Sequence, residues 1–114
     1  EYQNGIFYEA ARIMKLKDNI PLKIEDNRRT VTTAGTKVQL TTTSTPSRKV
    51  LIRAETDNTG IMCIGDTTVV AAEGSQRGLP LFTGESTEIE IDNASKLYID
   101  STVNGDGVSY VVLS

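Results

Sequence analysis

A chain of 114 residues with net charge −3 and a pI near 4.9 is sized for one domain and lacks the basic footprint of a nucleic-acid binder. It holds no His, no Trp and one Cys, which excludes an intrachain disulfide and a zinc site built on thiolates and imidazoles. A Ser or Thr nucleophile would have no His as its base, and no Ser-x-x-Lys spacing falls at a plausible strand-to-helix junction.

Residues 1–28 carry the densest aromatic cluster, Tyr2, Phe7 and Tyr8. Ile6, Phe7, Ala10, Ala11 and Met14 recur at spacings of three and four, which places them along one side of a short helix. Asn4-Gly5 stands at its start, and Ile20-Pro21 stops whatever precedes it. An extended arm lying on a neighbouring molecule fits the same residues. A dozen residues make only a marginal helix alone, so either form needs a surface to lie on.

Beyond Arg28 the period changes to two. Val38 and Leu40 alternate with polar neighbours, and Val50, Ile52 and Ala54 share a face opposite Leu51 and Arg53. Between them, 41–47 is low in complexity and reads as a long loop or an edge strand ending at Pro46. Cys63, in Ile61-Met62-Cys63-Ile64, reads as a small buried hydrophobe in a core strand. Glu88-Ile89-Glu90-Ile91-Asp92 alternates without a fault, and Leu97-Tyr98-Ile99-Asp100 follows in the same style. Val108, Tyr110 and Val112 alternate with Ser109, Val111 and Leu113, a pattern that predicts burial on both faces.

Turn formers separate these stretches at Asp57-Asn58-Thr59-Gly60, Gly65-Asp66, Glu73-Gly74-Ser75, Thr83-Gly84-Glu85 and Asp92-Asn93. Asn104-Gly105-Asp106-Gly107 reads as a tight hairpin. The spacing predicts an all-β domain over 29–114, an antiparallel sandwich or small barrel of jelly-roll or immunoglobulin-like type with about seven to nine strands. Residues 1–28 form a preceding arm or short helix.

Glu88, Glu90 and Asp92 stand on one face, with Asp100 and Asp106 as possible neighbours for a cation. Same-face residues lie roughly 7 Å apart along a strand, too far for one ion to bind all three. A solvated face partly neutralised by Lys or Arg next door is the better account. Neither a metal, a cofactor nor a catalytic residue is expected. No apolar run approaches the roughly 18 residues of a membrane helix, and nothing near Glu1 resembles a signal peptide.

One resemblance spans 35–114. It is carried by Ala34-Gly35-Thr36-Lys37-Val38-Gln39-Leu40, by Ser47-Arg48-Lys49-Val50-Leu51-Ile52-Arg53-Ala54 with Asn58-Thr59-Gly60, and by Ile64-Gly65-Asp66. The run from Leu81-Phe82-Thr83-Gly84-Glu85-Ser86 to Leu97-Tyr98-Ile99-Asp100 completes it. In this order the chain resembles small β-rich virion proteins of tailed bacteriophages, of the capsid decoration, cement or head-fibre type. The resemblance implies a non-enzymatic structural protein on the capsid surface, a homotrimer that binds the major capsid protein or another virion protein. The acidic balance and the lack of a long apolar run lead us to expect no nucleic acid and no membrane as partner. Tyr2, Phe7, Tyr8 and Met14 are the expected subunit or shell contacts. The alternative from another class is a carbohydrate- or receptor-binding module of a fibre or surface protein, with its site in the loops at 83–86 and 104–107.

Overall fold

A computed structural model describes residues 23–114. Eight strands follow one another: β1 (Ile24–Thr30), β2 (Val38–Gln39), β3 (Lys49–Ala54), β4 (Met62–Gly65), β5 (Leu79–Leu81), β6 (Ser86–Ile89), β7 (Tyr98–Ser101) and β8 (Gly107–Leu113). A single 3₁₀ turn, Ala94–Lys96, precedes β7. Asn93 caps that turn by accepting from the Ser95 amide, while its side chain also holds the Thr45 amide.

The strands form two four-stranded sheets, β1-β8-β3-β6 and β2-β7-β4-β5, and every pairing is antiparallel. Their wiring is nested. Strands 1 and 8, 2 and 7, 3 and 6, and 4 and 5 are all neighbours, as in one long hairpin folded over on itself. Contacts of β8 with β3 and of β7 with β4 complete the two sheets. The expected antiparallel all-β domain is therefore present as two sheets that keep free edges, and a closed barrel is not formed.

Between the sheets lies one apolar core. Val50, Ile52, Ala54, Val108, Tyr110 and Val112 contribute from the first sheet, Met62, Ile64, Leu81 and Ile99 from the second, with Val31, Leu40 and Leu97 from the connections. Each fully buried aliphatic side chain stabilises by about 1.5–3 kcal/mol relative to exposure. The second sheet has a smaller cluster on its outer side, where 66–77 folds back so that Val69 and Ala71 cover Cys63 and Tyr98. Cys63 is fully buried there, and burial pushes its thiol above the usual range.

Three expectations change. The boundary drawn between 28 and 29 falls inside β1, which begins at Ile24 and pairs with β8 along its whole length. The segment 104–107 is not a hairpin turn, because β7 and β8 belong to different sheets and the chain crosses between them there. Finally, β8 is buried on one face only. Ser109 is exposed, and Val111 and Leu113 are half-buried on the outer side.

Residues 1–22, and with them the expected helix or arm and the contacts Tyr2, Phe7, Tyr8 and Met14, lie outside the described residues.

Candidate functional site

The outer face of the first sheet carries a groove of defined shape. Alternation along the strands sends every second residue outward, and the register lines these residues up in rows. Ile24, Leu113 and Lys49 form one row; Asp26, Val111, Leu51 and Glu88 the next; Arg28, Ser109, Arg53 and Ser86 the third. The second and third rows line a groove of about 760 Å³. Leu51 and Val111 make its apolar floor, and Asp26, Arg28, Arg53 and Glu88 its charged rim. Tyr110 also borders the groove, but its ring belongs to the core side.

Most rim charges are tethered. Arg28 grips Glu55 with two hydrogen bonds, Nε to Oε1 at 2.8 Å and Nη2 to Oε2 at 2.9 Å. Arg53 Nε donates to the Gly84 carbonyl at 3.1 Å, and Lys49 pairs with Glu88 at 3.0 Å. The Arg28 hydrogen bonds hold the Glu55 carboxyl below its usual value near 4.5. A carboxylate with a lowered folded-state pKa stabilises the fold above its unfolded value, and that gain is lost as pH falls through the folded value. Because Arg28 is mostly exposed, solvent screens the pair and its contribution to stability is small. Glu55→Gln is expected to lower stability slightly at pH 7. In urea titrations across pH, the gap to the parent chain should close as pH drops below about 4.5. A gap independent of pH would assign the loss to packing instead.

The acidic residues singled out in the sequence do not converge. β6 ends at Ile89, so Glu88, Glu90 and Asp92 do not share one strand. Glu88 is paired with Lys49 of the neighbouring strand, as expected, whereas Asp92 pairs locally with Lys96 of the 3₁₀ turn at 2.8 Å. Asp100 and Asp106 are buried elsewhere and already committed to backbone amides. Asp100 accepts from Gly35 N at 3.1 Å and Ala71 N at 2.9 Å, and Asp106 from Thr59 N at 3.2 Å and Gly60 N at 2.8 Å. Among the described residues no group of His, Cys, Asp or Glu is arranged to hold a metal ion. These two carboxylates staple loops to strands, a task their position in turn-rich sequence did not reveal.

The loops expected to carry a glycan site come together at one end of the two sheets, through Asn58. Its side-chain amide exchanges two hydrogen bonds with Gly107, and its carbonyl accepts from Thr83 Oγ1 at 2.9 Å. Phe82 stands beside this cluster with 57% of its surface exposed. Asn104 is occupied in holding the Ala34 amide.

Among the described residues no helix is long and apolar enough to cross a membrane. Comparison with known proteins found no matching family model, no similar curated protein and no similar solved structure.

Proposed function

We propose that this domain is a jelly roll and that the protein is a non-enzymatic virion structural protein, a decoration or cement protein on a phage head. The observation that carries the reading is the nested order β1-β8-β3-β6 and β2-β7-β4-β5. That order matches the eight-stranded double-sheet architecture recurrent in viral capsid and lectin domains. Fold alone admits many functions; the resemblance of 35–114 to phage virion proteins selects among them. Buried carboxylates spent on backbone amides and a chain without His support a structural role over a catalytic one. The partner is the major capsid protein or a neighbouring virion protein, met as a homotrimer, with Tyr2, Phe7, Tyr8 and Met14 as candidate contacts. A protein that binds only the assembled shell stabilises it by mass action.

Cosedimentation with purified heads and purified tails of the phage that encodes the chain tests this. Saturable binding to heads is expected, with higher resistance of the shell to urea. Absence of binding to either part overturns the reading. Exposed Phe82 beside the Asn58 cluster favours the alternative, a glycan- or receptor-binding module, since a ring of this kind can stack on a sugar. Reproducible glycan-array binding that Phe82→Ala removes would establish that alternative.

A further inference from the structure

The two sheets differ in how their outer faces are finished. On the second, the chain itself folds 66–77 over Cys63 and Tyr98. On the first, Leu51 and Val111 stay half-exposed, and no described segment lies over them. We propose that a second copy of this chain covers that face, the two first sheets packing face to face about a two-fold axis. The inference goes beyond the virion reading. It is a paired contact, independent of any trimer made through Tyr2, Phe7, Tyr8 and Met14.

The groove is symmetric about one line. Its lining takes three consecutive residues from each strand, centred on Asn27, Tyr110, Ile52 and Thr87, which the register sets side by side. The outward row on one side of that line has Asp26 and Glu88 at its ends, and the outward row on the other side carries Arg28 and Arg53. A two-fold axis along the line lays each row over the other row of the second copy. Asp26 then meets the second copy's Arg28, and the reverse, while Glu88 stands beside the second copy's Arg53 on the next strand. Leu51 and Val111 of both copies fill the middle, an apolar centre inside a charged rim. The next outward residues along β3 obey the same rule, since Lys49 comes opposite the second copy's Glu55, one residue past the strand end.

Charge selects this arrangement over the other way of facing two such sheets. With the axis along the strands, Asp26 would face the second copy's Glu88, and like charges across an interface oppose association. Aligned sheets cross at about 30°, a displacement that long arginine side chains can follow. Both arginines are already held over the face, Arg28 by Glu55 and Arg53 by the Gly84 carbonyl, so pairing orders few side chains. Four strands about 4.8 Å apart and a seven-residue β8 rising about 3.3 Å per residue make a face of roughly 19 by 23 Å. Each copy then contributes roughly 400 Å², less than a permanent dimer needs. The pair is therefore reversible, with a dissociation constant of about 100 μM.

The test is sedimentation velocity of the full chain across a concentration series reaching about 0.5 mM, with two single charge reversals, Asp26→Arg and Arg28→Asp. Each reversal should raise the dissociation constant about ten-fold or more. An equimolar mixture of the two variants should associate as the parent does, because the mixed pair again has opposite charges at both contacts. Arg77→Asp, away from this face, should change nothing. A parent that does not associate over the series overturns the proposal, as does association that both reversals leave intact or that the mixture fails to restore. The parent alone gives a further reading that does not depend on the variants folding. Raising salt from about 0.02 to about 0.5 M should weaken its pairing several-fold. Pairing that salt leaves level or strengthens would place the contact on another surface.

Discussion

Asn58→Ala is expected to cost about 2–4 kcal/mol, the loss of two buried hydrogen bonds at once. Asn58 is 7% exposed and its side chain acts as a short piece of strand. Nδ2 donates to the Gly107 carbonyl at 2.8 Å, and the Gly107 amide donates to Oδ1 at 3.0 Å. Removing it leaves the buried Gly107 amide without an acceptor, at the point where the chain crosses from one sheet into β8. A domain of this size has about 5–15 kcal/mol in total, so the urea midpoint should fall visibly at unchanged slope. Asn58→Asp discriminates further. It keeps the acceptor for the Gly107 amide but turns a carboxylate toward the Gly107 carbonyl. That carboxyl should hold its proton more tightly folded than unfolded, so the variant's stability should be highest at low pH and decline as pH rises. A loss below about 1 kcal/mol in Asn58→Ala would mean that water replaces the amide freely.

What could be read from the sequence follows from where the packing acts on one face. In β3, burial of Val50, Ile52 and Ala54 against exposure of Arg53 leaves a period-two imprint that any reader can find. β1 leaves none. Six of its seven residues are exposed, and its inward positions are the polar Glu25, Asn27 and Arg29. It is an edge strand held by its ladder to β8 and by Arg29 Nε donating to the Gln39 carbonyl at 2.9 Å. Polar inward residues suit an edge that must not recruit another strand, and they erase the signal of a strand. For this reason the strand pattern legible in the sequence begins only after Arg28, inside β1.

The groove was hidden by the opposite ambiguity. In the sequence Val111 and Leu113 look like the second face of a doubly buried strand, whereas both are half-buried on an open face and Val111 floors the groove. Turn chemistry was equally one-sided. Asn104-Gly105 marks a reversal of direction, but whether the next strand pairs with the last or crosses to the other sheet is decided by distant partners. Asn58 and Val31 are those partners, 49 residues from Gly107 in one case and bonded through Asp106 in the other.

Gly78→Ala should be the most damaging glycine substitution of the second sheet, and Gly74→Ala explains why it need not follow from backbone angle. Both glycines have positive φ, +105° at Gly78 and +84° at Gly74, and an L side chain in that region costs about 1–2 kcal/mol. Their surroundings differ. A Cβ at Gly74 would meet nothing within 4 Å, whereas one at Gly78 would stand 2.6 Å from the Ile64 carbonyl oxygen and 3.0 Å from Val69. The first obstacle is backbone and cannot rotate away. Relief must come from shifting β5, a three-residue edge strand paired only with β4. Gly74→Ala is expected to cost about 1 kcal/mol and Gly78→Ala about 2–4 kcal/mol. The larger loss should be local in origin: amide exchange in β4 and β5 should quicken before that of β3 and β8, since those strands lie in the other sheet. Cys63, pinned between Val69 and the Asp100 carboxylate, offers a second readout. Its alkylation should accelerate in Gly78→Ala under conditions where Gly74→Ala still protects it. Equal costs for the two substitutions would show that β5 yields without strain, and that the contact with the Ile64 carbonyl carries no weight in this fold.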